Sequence, residues 1–232
     1  MGSSLRRALI ITALVMTVSG AGLIAPRPAP AAEGTPTAEA APDRATPPGS
    51  AAEVRLGNAF RQGAAYESPN YDVRVSHGEP WAVRDVFSTE DPEGDPFDYV
   101  WLWNGTTHAE FLGETWAAET QAPDCADFWT QHYAEQENTK NFTVLESAGG
   151  SASTWSRLSW DQTHEDGSAE PITMLVGCHL LAAGEGAILS MLVSSASADW
   201  DRDANARYDL FTGVCWNAPD EMGEAIERCA GG

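Results

Sequence analysis

From about residue 66 onward the chain alternates apolar and polar residues with a period of two, the pattern of strands that each cover one face. The segment YDVRVSH (71–77) sets Tyr71, Val73 and Val75 against Asp72, Arg74 and Ser76, and WAVRDVF (81–87) alternates again after a Gly78-Glu79-Pro80 turn. In FDYVWLW, Phe97, Tyr99, Trp101 and Trp103 share one face, while Asp98, Val100 and Leu102 share the other. Asn104-Gly105 fits the two positive-φ positions of a type I′ turn, so residues from His108 to Trp116 return as the second strand of a hairpin. Four further strands are predicted at 141–147, 153–163, 172–181 and 187–195, separated by short Gly- and Ser-rich turns that favour antiparallel pairing. Segment 172–181 is apolar on both sides, with Ile172, Met174, Val176, Cys178 and Leu180 opposing Leu175, Gly177 and Leu181. Such a strand belongs in the middle of a sheet covered on both faces.

The period changes to 3.6 in PDCADFWTQHYAEQ (123–136), where Cys125, Phe128, Trp129, His132 and Tyr133 fall on one side of a helix with Asp124 as its N-cap. A second helix is predicted from Asp203 to Thr212, with Ala204, Tyr208 and Phe211 on one side, and a short third one near Asp220 to Arg228. The expected fold is α+β, a mainly antiparallel sheet covered by helices on both faces.

Residues 1–31 combine Arg6 and Arg7, an apolar run from Ala8, and small residues at Ala29-Pro30-Ala31. This is the layout of a secretory signal peptide, with a cut after Ala31 or Ala32; an uncleaved anchor is the alternative. Residues 32–65 are read as an Ala/Pro-rich disordered linker that carries too little apolar surface to offset ordering. The folded domain is expected over 66–214 and a disulfide-closed tail over 215–232. Four cysteines lie in the exported part, Cys125, Cys178, Cys215 and Cys229, and in an oxidising compartment an even count reads as disulfides. Three pairings exist. Cys125–Cys178 would pin the helix's apolar face to the sheet, and Cys215–Cys229 would close a local loop, so this pairing is expected.

The net charge of -21 becomes -24 when the three arginines and no acids of residues 1–31 are removed, and Lys140 is the only lysine. Such a surface repels phosphate backbones, which excludes nucleic acid as a partner. No G-x-S-x-G, P-loop or dinucleotide fingerprint occurs. Asp199, Asp201 and Asp203 begin like a calcium loop, but Ala204 and Leu210 stand where its Gly and Glu belong. Asp91, Glu93, Asp95 and Asp98 form a second acidic stretch, read as a solvated loop. His77, His108, His132, His164 and His179 are scattered without ligand spacing. Asn104-Gly105-Thr106 and Asn141-Phe142-Thr143 match glycosylation sequons by chance in this reading. No catalytic, cofactor or metal residues are assigned. The nine tryptophans are read chiefly as core, with at least one partly exposed; Tyr99, Trp101 and Trp103 are the candidates for lining a groove for a sugar or peptide.

Ser68-Pro69-Asn70-Tyr71 opening a strand, Trp81 after a short turn, the 97–116 hairpin, the Asp124-Cys125 helix start, Val176-Gly177-Cys178 and the closing 203–212 helix occur in this order. This order resembles the PsbP-like domain family over residues 66 to 214. The resemblance implies an α/β/α sandwich and a secreted, non-enzymatic accessory or binding role. Plant members help photosystem II retain metal ions, but no functional positions of theirs are matched here. The expected protein is a secreted monomeric binding domain that acts on an extracellular protein or small ligand and uses no cofactor. The alternatives are an extracellular hydrolase using acidic residues and a calcium-stabilised extracellular module.

Overall fold

The computed structural model describes residues 65–91 and 94–230. The signal peptide and all of the linker except Ala65 lie outside the described residues. All strand pairs are antiparallel, and they form two sheets. The larger has seven strands, in the order β3 (Ala82–Glu90), β4 (Pro96–Trp103), β5 (Thr107–Thr115), β9 (Ala187–Ala196), β8 (Ala169–Leu180), β7 (Ser153–Thr163) and β6 (Thr139–Gly149). The smaller has four, β1 (Ala65–Glu67), β2 (Val73–Ser76), β10 (Val214–Pro219) and β11 (Ala225–Cys229). Among the described residues there are three helices: α1 (Ala122–Ala134), the single turn α2 (Ser197–Trp200) and α3 (Ala204–Thr212).

This is a sheet-dominated α+β fold in which helices on both faces are not seen. Helix α1 packs on the β6–β7–β8 part of one face. Against the other face lies a cluster that joins Tyr66, Val73, Val75, Val214 and Trp216 of the small sheet to Val100, Leu102, Phe111, Leu189, Met191 and Val193 of the large one. A full second helical layer is not shown: Leu210 of α3 joins this cluster, but the small sheet lies there too, because β2 and β10 pair across about 140 residues, Val75 opposite Val214, and local periodicity cannot reveal that pairing. Alternation within each strand still decides which residues go inside: Val73 and Val75 are buried while Arg74 and Ser76 are exposed.

Several local expectations change. The segment near Asp220 to Arg228 is no helix. It turns at Gly223 (φ 83) and returns as β11 against β10, Cys215 opposite Cys229. The β4–β5 turn is not type I′, because Gly105 has positive φ (105) but Asn104 does not. Instead the Asn104 carboxamide oxygen accepts the backbone N–H groups of Thr106 and Thr107 at 3.0 and 2.7 Å, a side-chain-built turn typical of Asn. Helix α1 begins earlier than Asp124, with Gln121 as N-cap and the Asp124 carboxylate accepting the Gln121 N–H at 2.8 Å. Its buried side is Ala122, Cys125, Ala126, Trp129 and Tyr133. Helix α3 buries Arg207 and Leu210, while Tyr208 is exposed. Strand β8, containing 172–180, lies third from the β6 edge and is flanked on both sides.

Both disulfides form. Cys125–Cys178 ties α1 to β8, with Cα atoms 6.1 Å apart. Cys215–Cys229 clamps the β10–β11 hairpin, with Cα atoms 4.1 Å apart. Among the described residues no cysteine is free.

Candidate functional site

The Ser68-Pro69-Asn70-Tyr71 stretch is explained by one carboxylate. Asp98, 1% exposed, accepts from the Ser68 hydroxyl, the Asn70 backbone N–H at 2.9 Å, the Asn70 carboxamide at 2.8 Å and the Ser88 hydroxyl at 2.6 Å. The Tyr71 phenol then donates to the Pro96 carbonyl and meets Thr115 Oγ1 at 2.8 Å. Its ring lies where a Cβ on Gly113 would come within 2.5 Å, so only glycine fits opposite Asp98. This network fixes the link between the two sheets and is structural.

Among the described residues the acidic stretches do not form a cage, and Glu93 lies outside those residues. Asp203 turns to the Thr106 and Thr107 hydroxyls and to Arg202, while Asp199 pairs with Arg202 at 2.7 Å. Burial works against the Asp203 charge, yet hydrogen bonds from Thr106, Arg202 and Thr107 hold its carboxyl below the ordinary range. Among the described residues no three His, Cys, Asp or Glu side chains converge as a metal site would require.

Ser153 Oγ lies 2.8 Å from His179 Nδ1. The His179 ring leans on Trp216 with centroids 4.3 Å apart, its Nε2 has no partner, and burial lowers its pKa to about 4. A serine–histidine pair without a group orienting the far nitrogen lacks the third member of a hydrolytic triad. A polar depression of 240 Å³ over the small sheet, lined by Glu67, Asp72, Arg74, Asn217 and Glu227, is bridged by an Arg74–Glu227 ion pair at 3.3 Å.

The other side of β3, β4 and β5 differs. Directly opposed residues of antiparallel strands point to the same face, so the register Asp85–Trp101–Glu110 forms one row and Ala82–Trp103–His108 the next. The register slips between Val83 and Asp85. This bulge leaves Arg84 as an extra residue, and its guanidinium rests 4.2 Å above the centre of the Trp103 ring. Re-aiming a side chain is what an edge bulge does. Trp103 stacks on His108 at 6.0 Å, and His108 on Trp101 at 5.8 Å and 9°. Trp101, Trp103 and His108 are half-buried, while Arg84 and Asp85 are exposed. Phe87 extends the aromatic surface beside Tyr99 at 4.8 Å. The Trp101 indole N–H is buried without an acceptor.

Glu110 sits behind this shelf, buried, and its carboxylate accepts the Tyr99 phenol at 3.2 Å. Burial pushes its pKa up to about 7, and only the Tyr99 hydrogen bond pulls the other way. Burial and, secondarily, the Arg84 charge lower the His108 pKa. Helix α1 adds an adjoining aromatic cluster in which Phe128 meets Trp116 edge-on at 5.2 Å and His132 meets Tyr133 edge-on at 5.2 Å. His132 is therefore held among rings on the helix. The aromatic residues were visible in the sequence, and Tyr99 is core while Trp101 and Trp103 are the partly exposed ones. Arg84, Asp85, His108 and Glu110 were missed as site residues. The available signal was parity: Glu110 alternates in step with His108 and Leu112, opposite to Ala109 and Phe111, so an acid stands at an inward position.

No family model and no curated protein matches the chain. Among solved structures the fold is similar to that of LpqN, described as involved in cell envelope biogenesis of Mycobacterium tuberculosis, with a TM-score of 0.36 and 10% identity over 68% of this chain and 85% of that one. A likeness at that level says nothing about the activity of this chain. The two disulfides fit an extracellular or envelope location. Among the described residues no helix is long and apolar enough to cross a membrane.

Proposed function

We propose that this is an extracytoplasmic, non-enzymatic binding domain of the PsbP-like kind, and that its ligand lies on the Trp101–His108–Trp103 shelf of β3, β4 and β5. The observation that carries the reading is a half-buried, mutually stacked aromatic ladder of Trp101, His108 and Trp103 on the outer strands of the large sheet. Aromatic rings left partly open beside a rigid sheet supply contact area at little entropic cost.

Hydrolysis by paired carboxylates is disfavoured by the row itself. Asp85 and Glu110 flank Trp101 in register, two strand spacings or about 10 Å apart at the backbone. Asp85 is exposed and Glu110 buried, so the two do not face each other across a cleft where a substrate bond and a water would sit.

The test is the set of indole N–H resonances of the disulfide-intact domain, titrated with a panel of sugars, aromatic amides and short peptides. The reading expects saturable shifts confined to Trp101 and Trp103. Shifts centred on Trp155 or Trp216, or none across the panel, would sink it.

A further inference from the structure

We propose that the shelf docks an arginine-bearing segment of a basic partner, with the incoming guanidinium taken on the Trp101 indole between Asp85 and Glu110. This inference rests on the reading of the shelf as the binding surface and adds the chemistry of its occupant.

Three observations converge. First, the shelf already holds a guanidinium of its own, Arg84 over Trp103 at 4.2 Å. The geometry by which an indole accepts a planar cation is therefore built into this surface. Trp101, the next indole on the strand face, is half-buried, stacks on His108 and, among the described residues, carries no such cation. Second, the two residues opposite Trp101 in register are both acids, Asp85 at the exposed edge and Glu110 on the inner side. The aromatic face is thus bracketed by the groups that complement a cation. Third, the chain carries -21 overall, which steers positively charged partners toward it and disfavours anions. Guanidinium suits the position better than ammonium because it is planar, weakly hydrated and stacks on aromatic faces. The edge strand β3 leaves Asp85 accessible from the side, so a peptide backbone can lie along the rim while one side chain enters.

The test uses a tetra-arginine amide and its tetra-citrulline analogue, which keeps the shape of the side chain and loses the charge. Each is titrated into the disulfide-intact protein while the Trp101 indole N–H is followed. The expected result is saturable movement of Trp101 by the arginine peptide, with citrulline at least tenfold weaker. Asp85→Asn and Glu110→Gln should each weaken arginine binding at least threefold at pH 8, while Glu221→Gln, an exposed acid in the distant β10–β11 turn, should leave it unchanged. Equal binding of both peptides at Trp101 would overturn the cation claim and leave the shelf as the site. Equal weakening by Glu221→Gln and Asp85→Asn would overturn it in favour of diffuse charge attraction. Methylguanidinium binding as tightly as the peptide would overturn the partner segment in favour of a small cation. Arginine-peptide shifts confined to Trp103 would overturn the placement on Trp101, and shifts confined to indoles other than Trp101 and Trp103 would overturn both the inference and the shelf reading.

Discussion

The β4–β5 hairpin buries Asp98 on one face and Glu110 and Glu114 on the other, and the surroundings of Asp98 and Glu110 could hardly differ more. Asp98, facing the small sheet, accepts four hydrogen bonds from Ser68, Asn70 and Ser88. Glu110, facing the shelf, accepts one from Tyr99 and is pushed toward neutrality by burial. A buried charge is tolerable when its lone pairs are filled and costly when they are not. Asp98 therefore acts as a staple, tying Ser68 and Asn70, which open the domain, to Ser88 of β3. Glu110 has no such structural return, which marks its neighbourhood as the place where the fold gives up stability for another use.

The largest test of this contrast removes the staple. Asp98→Ala should cost about 3 kcal/mol, because it empties a buried position and removes four hydrogen bonds to a charged acceptor, leaving half-buried Ser68 and Ser88 without it; urea unfolding at pH 7 measures it. Removing the other acid should do the reverse. The folded-state pKa of Glu110 is raised from 4.5 to about 7, so the folded form binds the extra proton between those values. Its contribution is fully present below pH 4.5 and is lost as pH rises to 7. Glu110→Gln should flatten that part of the stability–pH curve and gain up to about 3 kcal/mol over wild type at pH 8. If unfolding midpoints across pH 4 to 8 show the same slope in both proteins, the asymmetry between the two acids is wrong.

Two smaller changes sharpen the comparison. Gly113 lies opposite Asp98 with the Tyr71 ring against it, and Gly113→Ala should cost about 2 kcal/mol by displacing that ring, read as a lower thermal midpoint. On the shelf side, Arg84→Ala should cost only about 0.5 kcal/mol, the value of an exposed cation–π contact. It should also shift the Trp103 indole resonance while leaving Tyr71 signals in place.

Much of this was legible along the chain, for reasons that particular residues display. Val73 and Val75, or Val100 and Leu102, alternate because each strand has one covered face. The α1 periodicity located Cys125 on a buried side, and mid-strand Cys178 was its natural partner. What escaped depends on distant or irregular pairing. The small sheet joins Val75 to Val214, and no local pattern encodes that. The 220–228 segment reads as helix alone but becomes a strand because β10 offers it a ladder. The bulge at Arg84 hides inside what looks like plain alternation. At the site, the rings were readable and the acids were not, because Asp85 and Glu110 come together only through the register with Trp101.

The central claim is that Glu110 is an unfilled buried acid behind an open aromatic shelf. The most direct measurement is a carbon-detected NMR titration of the Glu110 side-chain carboxyl in the intact domain. The account predicts a midpoint near 7, where burial has pushed it. A midpoint at the ordinary 4.5 would show a solvated carboxylate and contradict the reading of this face.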